Sequence, residues 1–210
     1  FLPPTNFTAE EALSIIALAG EMGDDNGVPF FKPARQAALK LESSLPAPLR
    51  EDLQTMTRAI RVDLDPVNPL TGKDIVYQQL VDSIASRNVV RITYESLTEW
   101  ETITTKLRPY RLLFSRRSWY VVGRSTLHAS VRTFNLSRIS KIETLKEKYT
   151  VARGFNLDRY LGNAWHLIPE PGHDYNVIVR FQPLVARNVA EVVWHETQKL
   201  DFQSDGCLDF

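Results

Sequence analysis

The chain has 210 residues, 43 % apolar and 24 % charged, and its 25 basic side chains are balanced by 25 acidic ones. This is ordinary globular composition, long enough for two domains; it excludes a mainly disordered chain, and zero net charge argues against an overall electrostatic grip on nucleic acid. One cysteine, Cys207, leaves no internal disulfide framework and no cysteine-built zinc site, which fits a reducing, cytoplasmic setting.

The first third reads as helical. Thr8 and Glu11 have capping-box spacing, and Ala12, Leu13, Ile16, Ala19 and Met22 follow at helical intervals. "DDNG" ends that helix. Pro33 can open a second through Ala34, Ala37, Ala38 and Leu41, and "LPAP" breaks it. A third helix is expected from about Leu49 to Ile60, then a linker, "VDLDPVNPLTGKD", and a fourth helix from about Asp74 to Ser86. No run approaches the roughly 20 apolar residues that cross a bilayer, and the N-terminus has no basic region leading into an apolar one. The chain opens without Met and stops on a strand-like run, so a piece of a longer protein is expected.

The period then changes to two. "VVRITYES", "WETITTKLRPY", "YRLLFS", "SWYVVGRS", "VRTFNLS" and "KIETLKEKY" are short strand candidates separated by turn signals, a spacing that suits a small antiparallel barrel. "SRRS" reads as a hairpin turn. A short helix, "NLDRYLG", leads to a second linker, "IPEPGHD". Beyond it come a strand "YNVIVRF", a helix "PLVARNVAEVV", and two strands around "KLDFQ" and "CLDF". That β-α-β-β order is the first part of a split βαβ unit.

Catalytic signatures are not found. There is no glycine loop of the G-x-G-x-x-G or P-loop kind, no H-E-x-x-H helix and no G-x-S-x-G elbow. His128, His166, His173 and His195 are scattered without metal-ligand spacing and read as surface or loop residues. No enzyme and no cofactor is expected. The barrel region is unusual in interleaving arginines with aromatic rings. Alternation places Arg132, Phe134 and Leu136 on one strand face, so Arg132 is carried toward the core with them. An unpaired buried charge is costly, so Arg132 either snorkels to water or pairs with Glu95, Glu99 or Glu101, or else an anionic ligand is gripped by the guanidinium fork. Tyr110, Trp119 and Tyr120 are open to both core and ligand readings. Trp119 and Tyr120, being adjacent, must face opposite ways.

The run "RPYRLLFSRRSWYVVGRSTLHASVRTFNLSRISKI", Arg108 to Ile142, resembles the WYL domain of bacterial transcriptional regulators. Pro109-Tyr110, Trp119-Tyr120-Val121, Gly123 and the stretch from Arg132 to Ile139 carry the resemblance. Val121 stands where the family has leucine, and Arg111 where it often has glycine. The flanks are similar too: "FLPPTNFTAEEAL" to the helical segment before the barrel, and "YNVIVRF" with "ARNVAEVV" to the start of the C-terminal extension called WCX.

The resemblance implies an α+β chain in four parts. These are a helical linker and dimerisation segment (1–72), an Sm-like antiparallel β-barrel with its leading helix (73–155), a linker (156–174) and part of a ferredoxin-like domain (175–210). It implies a non-enzymatic ligand sensor, commonly a homodimer and not a membrane protein. The ligand would be a single-stranded nucleic acid or a nucleotide. Operator DNA would be read by a winged helix-turn-helix that this sequence does not contain. Carried over, the ligand-site residues are Tyr110, Ser115, Trp119, Arg132 and Arg138, with Arg108, Arg116 and Arg117 as a basic rim. The rings would stack and the arginines would bind phosphate. The rival reading is a dimerisation module with no small ligand.

Overall fold

The computed structural model describes residues 7–21, 31–59, 70, 72–97, 100–115, 118–165, 167, 169, 172 and 174–210. The chain divides into two compact units, Phe1–Thr150 and Val151–Phe210. It is an α+β protein.

The first unit opens with three helices, α1 (Ala9–Glu21), α2 (Phe31–Ser44) and α3 (Ala47–Ala59). The capping box at the head of α1 forms as its spacing requires. The Thr8 amide donates to Glu11 Oε2 at 2.8 Å, and the Glu11 amide donates to Thr8 Oγ1 at 3.2 Å. These bonds hold the Glu11 carboxyl below its usual range. The apolar stripes meet in a small core of Ile16, Ala38 and Leu53. The tail of the first helix's pattern, at Met22 and "DDNG", and most of the linker between α3 and the next helix lie outside the described residues.

Helix α4 (Asp74–Ser86) ends at Arg87, whose left-handed φ of 57° lets its amide close on the Ile84 and Ser83 carbonyls. Its buried face, Val76, Leu80 and Ser83, lies on a five-stranded antiparallel sheet. The strands are β1 (Asn88–Glu95), β2 (Thr102–Ser115), β3 (Ser118–Ser125), β4 (Ser130–Asn135) and β5 (Ile139–Lys148), in the order β4-β3-β2-β1-β5. The inner face carries Val90, Ile92, Tyr94, Leu107, Val121, Phe134 and Ile139, which form one core with Val76 and Leu80.

Two expected strands prove to be one. "WETITTKLRPY" and "YRLLFS" form the 14-residue β2. Pro109 does not break it because the ladder shifts there: Pro109 pairs with Gly123, and Arg111 with Val122. Tyr110 is therefore the extra residue of a bulge, a place where a strand accepts proline. Opposite it, Gly123 is obligatory. A Cβ there would lie 2.4 Å from the Arg108 carbonyl oxygen and 3.0 Å from Pro109 Cα.

The second unit holds α5 (Leu157–Leu161), β6 (Arg180–Phe181), α6 (Pro183–Ala190), β7 (Asp201–Phe202) and β8 (Leu208–Asp209). Its sheet order is β6-β8-β7, antiparallel throughout. The regular pieces are shorter than the sequence suggests. Only Arg180–Phe181 of "YNVIVRF" is regular strand, although Val179 and Phe210 still exchange both backbone bonds at 3.0 Å. The turn after β7 closes through Gly206, at φ +82°.

Arg180 grips Asp209 with two bonds of 2.6 Å across β6 and β8. The hydrogen bonds from Arg180 hold the Asp209 carboxyl below its usual value. A native pKa below the unfolded one gives stability that is complete above the unfolded value, about 4. That stability is lost as pH falls through the native value. Thermal melts of the second unit are expected to be flat in pH above about 5 and to fall below it, with Asp209→Asn abolishing that part of the dependence.

Candidate functional site

The site grows from the end of β4. Phe134, buried on the inner face, sits between two rings. Tyr94 of β1 meets it edge-on at 5.0 Å and 88°, and His128 of the β3–β4 hairpin lies 6.3 Å away on a T-shaped approach. His128 is held by its Nδ1, 2.8 Å from Ser125 Oγ, which in turn lies 2.9 Å from Thr105 Oγ1. Ser125 and Thr105 are both buried.

After Phe134 the chain makes a 3₁₀ turn, Leu136–Arg138. Asn135 fixes it, its Oδ1 accepting from the Ser137 amide at 3.0 Å and from Ser137 Oγ at 2.8 Å. The turn sends Arg138 back to the inner face, where Nη1 donates to Tyr94 Oη at 3.4 Å. The same hydroxyl accepts from the Asn135 amide at 3.4 Å. Lys73, just ahead of α4, clamps the end of the turn by donating to the Ile139 carbonyl at 2.8 Å.

Arg132 lies on the face of Phe134, one pleat nearer the hairpin, as alternation requires. It is nevertheless exposed rather than drawn inward, because β4 is an edge strand and the position falls beyond the packed rings. Among the described residues it makes no ion pair; Glu95 and Glu101 do not reach it, and Glu99 lies outside them. The result is a buried pair of rings, Phe134 and Tyr94, with a guanidinium at either end.

The other expected site residues are distributed differently. Tyr110 is 2 % exposed and Trp119 6 %, so neither ring offers a free face. Tyr110 sits in the bulge, 6.0 Å from the ring of Tyr149. Trp119 is wedged between Tyr77 at 5.0 Å and Phe114 at 5.3 Å. Both rings are packed in the interior: alternation points Trp119 inward under α4, and the bulge turns Tyr110 toward Tyr149. Ser115 ends β2, half-buried opposite Ser118. Arg108 is on the far side of the sheet from Arg132. It opposes Arg124, whereas Arg132 opposes Gly123. It therefore forms no rim with Arg132. Arg116 and Arg117, and with them the expected "SRRS" hairpin turn, lie outside the described residues.

Sequence reasoning missed Tyr94 and His128. Tyr94 is indistinguishable in pattern from the Val90 and Ile92 it follows, and His128 carries no spacing signal. A charge signal was readable. Between Thr102 and Ile142 nine residues are Lys or Arg and none is Asp or Glu, although the chain as a whole is neutral.

Among the described residues no group of acidic, histidine or cysteine side chains is arranged to hold a metal ion, and no helix is long and apolar enough to cross a membrane.

Comparison with known proteins gives the same region prominence. Residues 76–144 match the family profile of the WYL domain. Protein PafB of Mycobacterium leprae (strain TN) is 26 % identical over 178 residues, 78 % of this chain and 48 % of that protein, so the chain spans about half the length of the curated relative it matches. Among solved structures, proteasome accessory factor B/C (PafBC) of Arthrobacter aurescens is 17 % identical, covering 99 % of this chain and 30 % of that one with a TM-score of 0.37. A CRISPR Cas-related protein is 11 % identical, covering 100 % of this chain and 76 % of that one with a TM-score of 0.35. Across the matched segment, residues 76–144, α4 packs on the five-stranded sheet, so what this chain carries is a WYL-domain match within its first unit.

Proposed function

We propose that this chain is the sensing and dimerisation part of a bacterial transcription regulator, acting in the cytoplasm as a homodimer. It binds a single-stranded nucleic acid or nucleotide in the cleft of Arg132, Phe134, Tyr94 and Arg138. Binding controls how a winged helix-turn-helix domain elsewhere in the regulator reads operator DNA. The first unit serves as an Sm-like barrel and the second as part of a ferredoxin-like WCX domain, a reading supported by the β6-β8-β7 order. It acts as a non-enzymatic regulator, a reading supported by the WYL match; among the described residues the Ser125 that bonds His128 is buried.

The observation that carries this reading is the exposed Arg132 guanidinium, with no acidic partner among the described residues, on the same sheet face as Arg138. A guanidinium takes a phosphate with two parallel bonds. For control to follow, the ligand must bind one arrangement of the dimer more tightly than the other.

The test is a fluorescence titration with mononucleotides and short single-stranded oligonucleotides. Arg132→Ala and Arg138→Ala are each expected to weaken binding about 10- to 100-fold, the worth of a hydrogen bond to a charged group. Wild-type protein that binds none of these ligands defeats the sensor reading. The rival reading, a dimerisation module alone, is favoured by the exposed Leu18 of α1 and Leu39 of α2. It requires light scattering to show a dimer indifferent to every ligand.

A further inference from the structure

The sheet face opposite the cleft carries an arginine cluster that the fold leaves without acidic partners. On the outer face of β1 and β2, Arg91 and Lys106 stand directly opposite each other. Each has its own carboxylate, Glu143 at 2.5 Å and Glu147 at 2.8 Å. One repeat along β2, Arg108 stands directly opposite Arg124 of β3. Like charges in register across a ladder destabilise it, yet no Asp or Glu occurs anywhere in β2, β3 or β4.

The bulge adds a third cation. Without it, strict alternation from Arg108 would turn Arg111 to the inner face. With Tyr110 as the extra residue, Arg111 pairs with Val122 and joins the face of Arg124, and bulges re-aim side chains in this way. The device is held in place: the buried Tyr110 ring lies against Tyr149, whose hydroxyl donates to the Pro109 carbonyl. Arg111 and Arg124 are exposed and Arg108 is half-buried. Among the described residues none of the three guanidinium groups makes a hydrogen bond or ion pair. Glu147, held low chiefly by Lys106, is influenced only weakly by Arg108.

We infer that Arg108, Arg111 and Arg124 form a second anion-binding surface, separate from the cleft, that takes the phosphodiester backbone of a nucleic acid. The arrangement favours a phosphodiester over an acidic protein because the described part of this outer face on β2–β4 presents no exposed large apolar side chain, so it lacks the anchor around which protein interfaces build their affinity.

The inference goes beyond the cleft reading, and one experiment separates them. Anisotropy of labelled dT20, of a 20-base-pair duplex and of a poly-glutamate peptide is measured against salt. The proteins are wild type, Arg108→Gln/Arg111→Gln/Arg124→Gln, and Arg132→Ala/Arg138→Ala. A double variant, Arg111→Gln/Arg124→Gln, touches only exposed positions and guards against misfolding. The outer triple variant is expected to lower the log–log salt slope on dT20 by about 2, at about 0.7 per lost phosphate contact, and the double by about 1.4. The cleft variant should keep the wild-type share of that slope. An outer variant with wild-type affinity and slope overturns the inference while leaving the cleft reading intact. Weakening by the outer variants alone supports the inference and defeats the cleft reading. Poly-glutamate bound more tightly than dT20, and released by the outer variants, overturns the assignment to nucleic acid.

Discussion

Gly123→Ala is expected to destabilise the first unit by about 3 kcal/mol, the upper range for forcing an extra carbon into a packed site. The added Cβ would fall 2.4 Å from the Arg108 carbonyl oxygen and 2.9 Å from Leu107 Cδ1. Leu107 could adjust a side chain, but the carbonyl cannot move without pulling the β2–β3 ladder apart. β2 and β3 approach this closely only because the bulge pinches them together. A urea titration followed by tryptophan fluorescence should show a midpoint well below that of wild type, with the slope unchanged. A variant as stable as wild type would mean that the two strands are not so closely apposed.

Leu80→Ala is expected to cost a similar amount, about 3 kcal/mol, within the range for emptying a fully buried leucine site. Leu80 has no exposure and joins the core that α4 shares with Val90, Ile92 and Leu107. Its loss removes the centre of that contact, leaving Val76 and the Tyr77–Trp119 ring contact at 5.0 Å to hold the helix. The same urea titration measures it. Because Leu80 is remote from Arg108, Arg111 and Arg124 on the outer face, oligonucleotide binding by the folded fraction should keep its salt slope. A loss of slope would tie the outer face to the docking of α4.

Much of this fold was legible because it rests on local chemistry. The Thr8–Glu11 box, the span of α4 and the alternation in β1 each depend on neighbours in sequence, and each appears where the pattern puts it. What escaped depends on partners distant in sequence. Pro109 reads locally as a strand end; only its pairing with Gly123, fourteen positions on, reveals a bulge. The family resemblance likewise grouped Arg108 with Arg132 around one site, whereas the strand register assigns them to two faces. Arg132 illustrates the same limit. Alternation gives its face correctly, but its exposure follows from β4 being an edge strand, which is a property of the whole sheet. Tyr110 and Trp119 were recognisable as aromatic residues of the WYL pattern, while their burial was set by Tyr149, Tyr77 and Phe114.

The short turn after β4 has a mechanical consequence. Arg138 and the Ile139 carbonyl are consecutive along the backbone; the first reaches the cleft and the second is tethered to Lys73. The hydroxyl of Tyr94 and the ammonium of Lys73 thus grip neighbouring residues of one turn, so the inner face of the sheet and the root of α4 share a single fastening.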